Sequence, residues 1–451
     1  MRKYFGTDGI RRIANLELTP DLVFRVAKAG AHVLTKHSNH MPTILIGRDT
    51  RISGSLIESA MTAGFLSYGA NVKLLGVMPT PAVAYLTKKL NADASVVISA
   101  SHNTFEFNGV KYFSNQGMKI PDEIEEEIEE IMDSDKLSTL MAVGDKIGIS
   151  EEANRYVYEY IQFFKDIFGN ELKNCPLKIG IDTANGATSE VAGMIFSELG
   201  LHFEIIHHQP NGVNINENCG STHLEAIASY VKEHHLDLGI AYDGDGDRCL
   251  AVDENGEIMD GDVIMAILAK DLQKKNKLKN DTLVVTVMSN LGLKKYGEQN
   301  NIQMVTTKVG DRYVLEEMLK NGYNLGGEQS GHVIMLDYNP TGDGILTSLM
   351  LIRAILTENK KASEMKKIVK IYPQVLINAK VSSERKYDYE KDAEIKQKIA
   401  ELEAEFAGNG RVLIRPSGTE PKVRVMIEGE KQEYITKRAQ EIANLIEQKL
   451  Q

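Results

Sequence analysis

Strand-length apolar runs alternate with helix-length segments along most of the chain, and each apolar run ends in a polar loop. TILIGRDTR at residues 43–51 passes from apolar to polar, and SGSLIESAMTAGFLSYG at 53–69 follows with helically spaced apolar residues. The second segment starts with a serine, which favours a helix N-cap, and ends with a glycine, which favours a helix C-terminus. Repetition of this pattern predicts βα units with mainly parallel sheets, and therefore an α/β fold.

The same alternation recurs in two later rounds. LKIGIDTANG at 177–186 and LDLGIAYDGDGDR at 236–248 belong to the second round, and TLVVTVMSNLG at 282–292 and YNLGGEQSGH at 323–332 to the third. Ligands of open parallel sheets bind beyond the carboxyl ends of the strands. The polar loops near residues 101, 243 and 328 are therefore the expected places for chemistry.

The length of 451 residues exceeds what one ordinary core supports and suggests three or four domains. The end of the chain differs from the earlier rounds, because YPQVLINAKV and VRVMIEGE are typical of strands between amphipathic helices. We expect three α/β domains with mixed or parallel sheets at residues 1–155, 156–254 and 255–369, and a smaller C-terminal α+β domain at 370–451.

Composition excludes several classes of protein. The chain is 42% hydrophobic and 25% charged, and no stretch reaches the roughly 18 consecutive apolar residues of a membrane span. The net charge of −11 disfavours nucleic acid and anionic membrane as partners. The start MRKYFGTDGIRR lacks the apolar segment of a secretory signal, and three widely separated cysteines suit a reducing compartment. We therefore expect a cytoplasmic protein, and an anionic small substrate would need a locally positive cleft.

DGDGDR at residues 243–248 places Asp243, Asp245 and Asp247 on alternate positions between glycines. Two such charges about 4 Å apart repel by roughly 4 kcal/mol at an effective dielectric of 20, so three carboxylates together favour a bound cation. Oxygen ligands suit Mg²⁺ or Ca²⁺. An EF-hand is excluded because Arg248 occupies the position that requires glycine. A magnesium site is the expectation, and an exposed acidic turn is the alternative.

RPSGTEPKVRV at residues 415–425 combines a small-residue loop with two arginines. Backbone N–H groups of Ser417, Gly418 and Thr419 could bind an anion, and Arg415 and Arg424 could add bidentate bonds to phosphate oxygens. A plain turn is the alternative.

GGEQSGH at 326–332 offers Glu328, Ser330 and His332, side chains that could bind sugar hydroxyls and transfer protons. Lys111 in FNGVKYF could assist with proton transfer or charge. No spacing rule makes either assignment specific, and a plain loop and a surface lysine are the alternatives.

The apolar run in VVISASHN, residues 96–103, ends at Ser101. The motif is not the G-x-S-x-G elbow of hydrolases, and alternation along an extended strand would point His102 away from Ser101. Ser101 is therefore better suited to carry a group than to attack an acyl carbon. With a predicted cation site and a predicted anion site elsewhere in the chain, that group is expected to be phosphoryl, and a strand-end turn is the alternative.

The motifs GTDGIR, SASHN, DGDGDR, GGEQSGH and RPSGTEP occur in the order seen in the α-D-phosphohexomutase family, which the chain resembles from residue 6 to residue 421. The resemblance implies four domains around a central cleft and a phosphoserine at Ser101. It implies Mg²⁺ held by Ser101, Asp243, Asp245 and Asp247. Sugar hydroxyls would bind Glu328 and Ser330, and the phosphate that does not react would bind Arg415, Ser417, Gly418, Thr419 and Arg424. The reacting centre would be lined by Arg11, Lys111, Arg248 and His332.

The forms FGTDGIR, GGEQSGH and VGDRYV favour the amino-sugar branch of that family. The expected reaction interconverts glucosamine 6-phosphate and glucosamine 1-phosphate, toward UDP-N-acetylglucosamine synthesis, through glucosamine (or glucose) 1,6-bisphosphate, which also acts as activator. Glucose or mannose phosphates are alternative substrates, a phosphatase and a non-catalytic sensor are alternative functions, and a homodimer is compatible with the resemblance. Thr104 and Phe107 depart from the usual family pattern beside Ser101, which puts the rigidity of that loop and the contacts of Lys111 in doubt. Arg12 also departs from the pattern, and the alternatives for it are added positive charge at the cleft or an outward orientation.

Overall fold

The structure is a computed structural model that describes residues 3–6, 8–417 and 420–451. The chain divides into two compact units. The larger unit comprises Met1–Met288 and Ile302–Ile368, and the smaller unit comprises Ser289–Asn301 and Val369–Gln451.

The first sheet of the larger unit and its helices occupy the N-terminal part of the chain. In chain order the elements are β1 (Ile10–Ile13), α1 (Pro20–Thr35), β2 (Thr43–Arg48), α2 (Gly54–Tyr68), β3 (Asn71–Val77), α3 (Thr80–Lys89), β4 (Ala94–Ile98), β5 (Phe107–Ser114), α4 (Asp122–Met132), α5 (Lys136–Thr139) and β6 (Ser150–Glu152). The strand order is β1-β5-β4-β2-β3-β6. Strands β2, β3, β4 and β6 run parallel, and β5 pairs antiparallel with β4 and β1.

The second and third sheets follow with the same strand order as each other. Their elements are α6 (Val157–Phe168), β7 (Lys178–Asp182), α7 (Thr188–Glu198), β8 (His202–Ile206), α8 (Glu225–His234), β9 (Leu238–Tyr242), β10 (Cys249–Asp253), β11 (Ile258–Met259), α9 (Gly261–Lys274), β12 (Thr282–Thr286), α10 (Leu291–Asn300), β13 (Gln303–Thr307), α11 (Asp311–Asn321), β14 (Leu325–Gly327), β15 (Val333–Met335), β16 (Asn339–Gly342), α12 (Gly344–Glu358) and α13 (Ala362–Lys366). The orders are β8-β7-β9-β10-β11 and β13-β12-β14-β15-β16. The first sheet repeats this arrangement over β3-β2-β4-β5, which confirms three related α/β domains with mixed sheets.

The parallel strands form because their sequences are continuous apolar runs rather than alternating ones. All five residues of β4, β9 and β12 are buried, as expected for strands covered by protein on both faces. Helix α1 starts where the Thr19 hydroxyl accepts a hydrogen bond from the Leu22 N–H, with Pro20 at the first helical position. Both local signals were readable in the sequence.

The predicted cap of α2 is only half right. The helix ends at Gly69, whose φ of 104° places it in the left-handed conformation that glycine favours. Ser53 precedes the helix, but its hydroxyl does not cap the backbone and instead accepts a hydrogen bond from Asn108 Nδ2 at 2.9 Å. A tertiary contact has replaced the local one.

The smaller unit holds α10 and a three-stranded antiparallel sheet in the order β17-β19-β18. Its other elements are β17 (Gln374–Lys380), α14 (Ala393–Phe406), β18 (Gly410–Pro416), β19 (Lys422–Gly429) and α15 (Gln432–Leu450). Alternate residues of β19, including Val425 and Ile427, pack against Ile435 and Ile442 of α15 in one core. This is the smaller α+β domain that the sequence predicts. No helix in the described part of the chain is long and apolar enough to cross a membrane.

Candidate active site

The three predicted loops follow the same strand of each sheet. Ser101 comes after β4, Asp243 directly after β9, and Glu328 directly after β14. Each of these strands is the third of its parallel set, and each pairs antiparallel with the next strand in the chain. The Ser101 hydroxyl donates to Asp243, which joins the first loop to the second. The Cys249 N–H at the end of the second loop donates to Gly331 O of the third loop at 3.0 Å. Equivalent topology therefore brings the three loops together.

Ser101 lies at the centre of this region. It is only 2% exposed, and its Oγ donates a hydrogen bond to Asp243 Oδ2 at 2.7 Å. Its backbone has a φ of 52°, in the left-handed region that residues other than glycine seldom adopt. The serine therefore does not continue the strand, and its hydroxyl faces the aspartates.

The expectation that His102 points away from Ser101 is wrong. The Nδ1 atom of His102 lies 3.3 Å from Ser101 Oγ, because the left-handed turn at Ser101 breaks the alternation of an extended strand. Burial, together with the charges of Arg248 and Arg11, lowers the pKa of His102 to about 4. The ring is neutral and a weak base at neutral pH, so the pair is not a base-activated nucleophile.

The three aspartates of the DGDGDR loop are all buried, which excludes an exposed acidic turn. One carboxylate oxygen from each lies within 4.8 Å of the others. Burial, reinforced by the charges of Asp247 and Asp245, raises the pKa of Asp243 well above its ordinary value. Within the described residues, Oδ1 of Asp245 and Oδ1 of Asp247 are buried without any hydrogen-bond partner. Converging buried carboxylates with unused oxygen atoms fit a hard divalent cation such as Mg²⁺.

A second group of converging side chains, Asp182, His207 and Cys219, has a different character. Both carboxylate oxygens of Asp182 already accept hydrogen bonds: Oδ1 from Ala184 N at 2.9 Å, and Oδ2 from Gly220 N at 3.0 Å. The Nδ1 atom of His207 lies 2.9 Å from the same Oδ2. This carboxylate is satisfied by the loop around it, in contrast to the aspartates near Ser101.

Lys111 lies on β5 and is 2% exposed, so the alternative of a surface lysine is wrong. Its Nζ donates to Asp245 Oδ2 at 2.9 Å and lies 3.2 Å from Asp8 Oδ2. Burial alone would lower the pKa of Lys111, but the carboxylates of Asp245, Asp8 and Asp247 raise it above its ordinary value. The lysine is therefore a buried positive charge at the edge of the aspartate cluster.

The contacts of Lys111 continue into a ring of acidic and basic side chains, the charged ring, which closes where Lys111 Nζ lies 3.9 Å from Asp247 Oδ2. Lys119 Nζ lies 2.6 Å from Asp8 Oδ1 and 2.5 Å from Asp311 Oδ2. Asp311 Oδ2 lies 3.4 Å from Nε2 of His332, whose Nδ1 lies 3.5 Å from Asp247 Oδ2. In sequence around the ring the members are Asp245, Lys111, Asp8, Lys119, Asp311, His332 and Asp247. Burial opposes ionisation of Asp8, but Lys111, Lys119 and Arg11 hold its pKa well below the ordinary value.

We expect Lys119→Met to lower the free energy of unfolding of the larger unit by about 2 kcal/mol, because it leaves the partly buried carboxylates of Asp8 and Asp311 without their shared cation. Calorimetric melting of the purified protein measures the effect. Lys279→Met, which removes an exposed partner of Asp337, is the control and is expected to change stability by less than about 1 kcal/mol. Equal melting temperatures for the two variants would contradict the role of Lys119.

The two predicted arginines of the reacting centre, Arg11 and Arg248, make contacts near the Ser101 loop. Arg11 donates to Asn103 Oδ1 at 3.3 Å and to Asp8 Oδ2 at 3.0 Å. The backbone N–H of Arg248 donates to Asp243 Oδ1 at 3.1 Å, and its side chain remains 23% exposed. Both arginines act on the neighbouring His102, whose pKa their charges lower, and their guanidinium groups could meet an anion bound at this loop. Arg12, one of the departures from the family pattern, donates instead to the backbone O of Lys3 at 3.0 Å.

The third loop presents Glu328 and Ser330 with part of each side chain exposed, and it buries His332. Glu328 Oε1 accepts a hydrogen bond from the backbone N–H of Gly310 at 3.1 Å, which fixes its orientation. The Gly342 N–H donates to Nε2 of His332 at 3.1 Å. A neutral imidazole at His332 therefore carries its proton on Nδ1, the nitrogen that faces Asp247. Glu328 and Ser330 are accessible to a ligand, whereas His332 belongs to the charged ring.

The C-terminal motif lies in the smaller unit. Arg415 and Arg424 are directly opposite each other on β18 and β19, and burial, with Arg424 nearby, lowers the pKa of Arg415. Like charges facing each other across two strands are unfavourable, and a bound anion would relieve the repulsion. Ser417 is buried, with its backbone O accepting from Lys386 Nζ at 3.0 Å. The predicted residues Gly418 and Thr419 lie outside the described residues.

Several polar residues at this site were not predicted. The Thr80 hydroxyl donates to Asp245 Oδ2 at 2.7 Å, and Arg51 and Asn216 donate to the backbone of the Ser101 loop. Arg51 follows β2 at the carboxyl end of a strand, so the rule that located Ser101 could have located it too. Asp8 and Asp311 lie in the quoted motifs GTDGIR and VGDRYV. Asn216 gave no signal in the sequence.

Sequence models of the four domains of phosphoglucomutase/phosphomannomutase match the chain in order. The alpha/beta/alpha domains I, II and III match residues 2–139, 158–256 and 260–372, and the C-terminal domain matches 376–445. The crystal structure of a phosphoglucomutase/phosphomannomutase family protein from Burkholderia thailandensis has the same fold. Its TM-score is 0.79 at 20% identity, and the match covers 98% of this chain and 97% of that one. These matches and the fold define a protein of the phosphohexomutase class.

Closer relatives narrow the class. The phosphoglucosamine mutase of Acetivibrio thermocellus is 52% identical over 450 residues, which cover 100% of both chains. The chain belongs to the phosphoglucosamine mutase family. A more distant fold match is Aspergillus fumigatus N-acetylphosphoglucosamine mutase, solved in complex with GlcNAc-6P and magnesium; its TM-score is 0.70 at 17% identity, and the match covers 99% of this chain and 96% of that one.

Proposed function

We propose that this chain interconverts glucosamine 6-phosphate and glucosamine 1-phosphate, with Ser101 as the carrier of the transferred phosphoryl group. The observation that carries the proposal is the position of the Ser101 hydroxyl, 2.7 Å from Asp243 and facing the buried aspartate cluster. A side chain in that position can receive a phosphoryl group and hold it beside a cation. The relatives named phosphoglucosamine mutase, 52% and 53% identical over the full chain, support the amino-sugar substrate.

The residues that would hold Mg²⁺ are Asp243, Asp245 and Asp247, with an oxygen of phosphorylated Ser101 as a further ligand. The unused Oδ1 atoms of Asp245 and Asp247 support this assignment. Bound there, Mg²⁺ supplies positive charge that offsets the negative charge of the phosphoryl group during transfer. Thr80 and Lys111 hold Asp245 Oδ2 in place, which leaves its other oxygen for the cation.

In the first half of the proposed reaction, the bond between phosphorus and Ser101 Oγ breaks and the 1-hydroxyl oxygen of the sugar bonds to phosphorus. The hydroxyl proton passes to a basic group, for which His332, in contact with Asp247, is the candidate. Lys111, the other candidate from the sequence, would add positive charge instead, because the neighbouring carboxylates raise its pKa and keep it protonated. Arg248 and Arg11 would add positive charge at the equatorial oxygens. Ser101 Oγ takes up a proton as the phosphoryl group leaves it. After the 1,6-bisphosphate has turned over within the cleft, the bond between phosphorus and O6 breaks, Ser101 Oγ bonds to that phosphorus, and the serine proton passes to O6, so that glucosamine 1-phosphate is the product.

Orientation of the sugar is assigned to residues outside the aspartate cluster. Glu328 and Ser330 would bind sugar hydroxyls, which the partial exposure of both side chains permits. Arg415, Ser417, Gly418, Thr419 and Arg424 would bind the phosphate that does not react. The close approach of Arg415 and Arg424 across β18 and β19 supports this role, because an anion relieves their repulsion.

We further propose the domain limits 1–155, 156–254, 255–369 and 370–451, each of which encloses most of one family-model match. A cytoplasmic location is proposed as well. Its support is that Cys175, Cys219 and Cys249 are all buried free thiols, which suit a reducing compartment.

The test is phosphoryl transfer to the purified protein. Glucose 1,6-bisphosphate with Mg²⁺ is expected to add one phosphoryl-sized mass increment that maps to Ser101. Phosphorus NMR is then expected to show glucosamine 6-phosphate converting to glucosamine 1-phosphate faster than glucose or mannose 6-phosphate reacts. Steady release of inorganic phosphate without a 1-phosphate product would instead identify a phosphatase, and a faster reaction of glucose or mannose phosphate would overturn the amino-sugar assignment.

A further inference from the structure

The conformation of the Ser101 loop is unusual and is held almost entirely through its backbone. Ser101 has a left-handed φ of 52°, a conformation that residues with a β-carbon seldom adopt. The carbonyl oxygens of Ser101 and Asn103 accept hydrogen bonds from both Arg51 and Asn216. Those of Thr104 and Phe107 accept from Arg51. These bonds over-determine a backbone shape that the sequence alone does not favour.

Arg51 supplies most of the donors. Its side chain is completely buried, and Nη2 donates to Ser101 O at 3.0 Å and to Asn103 O at 2.8 Å. Nη1 donates to Thr104 O and to Phe107 O, the latter at 3.0 Å. The remaining donor, Nε, bonds Asp49 Oδ2 at 2.8 Å, so the buried charge is paired. The planar guanidinium thus fits a set of acceptors that one ammonium group could not reach at once.

Asn216, which lies in the segment between β8 and α8, bonds the same loop. Its Nδ2 donates to Ser101 O and Asn103 O, both at 2.9 Å, while its own backbone N–H bonds Ala184 O at 2.9 Å. Gly244 makes this approach possible, because a β-carbon there would lie 2.6 Å from Ser101 O and 2.7 Å from Asn216 Nδ2. Asn216 therefore fixes the serine loop against the loop that carries the aspartates.

We propose that Arg51 and Asn216 are positioning residues for phosphoryl transfer, holding Ser101 in the left-handed conformation that aims Oγ at the aspartate cluster. The inference rests on the proposed function of Ser101. It also explains why the departures at Thr104 and Phe107 are tolerated. Arg51 bonds only their carbonyl oxygens, so these hydrogen bonds do not require particular side chains at the two positions.

The test compares Asn216→Ala with a control from the same segment, Asn214→Ala. Asn214 bonds within its own loop, its Nδ2 donating to Gln209 O at 3.1 Å, and it has no hydrogen bond to the Ser101 loop among the described residues. Transfer from glucose 1,6-bisphosphate to Ser101 is followed by rapid quench and intact mass, beside the melting temperature and the dissociation constant of the bisphosphate. Asn216→Ala is expected to slow transfer by about tenfold to a hundredfold with little change in bisphosphate affinity, and Asn214→Ala to match wild type.

Two further variants separate positioning from folding. Arg51→Lys keeps a positive charge beside Asp49 but loses the planar set of donors, and Gly244→Ala leaves both side chains intact but forces the two loops apart. Both are expected to slow transfer at near-normal bisphosphate affinity, and Gly244→Ala decides the matter if Asn216→Ala does not fold. Wild-type transfer rates in folded Asn216→Ala or Gly244→Ala would overturn the proposal. Failure of the wild-type protein to become labelled would instead overturn the proposed function.

Discussion

Replacing Ser101 with alanine is expected to reduce interconversion of glucosamine 6-phosphate and glucosamine 1-phosphate more than about a thousandfold, because no other group takes the place of the phosphoryl carrier. The hydroxyl is buried, donates to Asp243 at 2.7 Å and lies 3.3 Å from His102 Nδ1, so alanine removes these two contacts and creates no clash. The fold should therefore survive. The measurements are the steady-state rate by phosphorus NMR and the intact mass after incubation with glucose 1,6-bisphosphate.

Ser95→Ala is the matched control for this variant. Ser95 lies on β4, is fully buried and accepts a hydrogen bond from the Thr87 hydroxyl at 2.6 Å, but it does not contact the aspartates. It should be phosphorylated at Ser101 and turn over at the wild-type rate, with only a modest loss of stability. Substantial turnover by Ser101→Ala, or a phosphoryl increment that maps to another residue, would show that the transferred group is carried elsewhere.

The sequence predicted those features of the fold that follow from local pattern. Continuous apolar runs identified the central strands β4, β9 and β12, because strands buried on both faces have no polar alternation to obscure them. The rule that ligands bind beyond the carboxyl ends of parallel strands then placed Ser101, Asp243 and Glu328 correctly at one edge of each sheet. Strand β18 was not predicted, because its residues are all partly exposed and give no buried apolar run. Its last two residues, Arg415 and Pro416, belonged to the segment interpreted as a phosphate loop.

Long-range contacts account for what the sequence did not predict. Lys119 and Asp311 are close in space but 192 positions apart in sequence, and Asn216 is 115 positions from Ser101. Contacts between residues so far apart leave no periodic pattern in the sequence. The error about His102 has the same origin, since the left-handed turn at Ser101 is stabilised by Arg51 and Asn216 rather than by its own sequence. At Ser101, tertiary hydrogen bonds hold a left-handed conformation where the local sequence predicts an extended strand.

The charged ring compensates the negative charge of the aspartate cluster, which the separate motifs do not show. Three carboxylates facing one another would be strongly unfavourable without compensation, and Lys111 supplies part of it through the Oδ2 atoms of two of them, at 2.9 Å from Asp245 and 3.9 Å from Asp247. Oδ1 of Asp245 and Oδ1 of Asp247 stay buried without hydrogen-bond partners in the described part of the chain. The positive charge of the ring thus stabilises the aspartates while leaving free the oxygens that a cation needs.

Asp245→Asn is expected to weaken binding of Mn²⁺, a spectroscopically useful substitute for Mg²⁺, and to lower turnover by about a thousandfold, since the amide removes one charge and one anionic ligand. Thr80→Val removes only the hydroxyl that orients Asp245 and should cost about tenfold to a hundredfold in metal affinity. Both effects are measured by calorimetric titration of the unphosphorylated protein with Mn²⁺, beside the steady-state rate. Melting temperatures check that each variant is folded.

Cys219→Ser tests the specificity of that titration, because it alters the other converging group, Asp182 with His207 and Cys219. The carboxylate of Asp182 is already satisfied by backbone N–H groups, so this variant should bind Mn²⁺ like wild type. The expected affinity for Mn²⁺ is lowest for Asp245→Asn, intermediate for Thr80→Val and unchanged for Cys219→Ser. This order follows from which carboxylate oxygens lack a hydrogen-bond partner among the described residues. If Asp245→Asn bound Mn²⁺ with wild-type affinity while Cys219→Ser did not, the metal would belong to the other group, and phosphoryl transfer at Ser101 would need another source of positive charge.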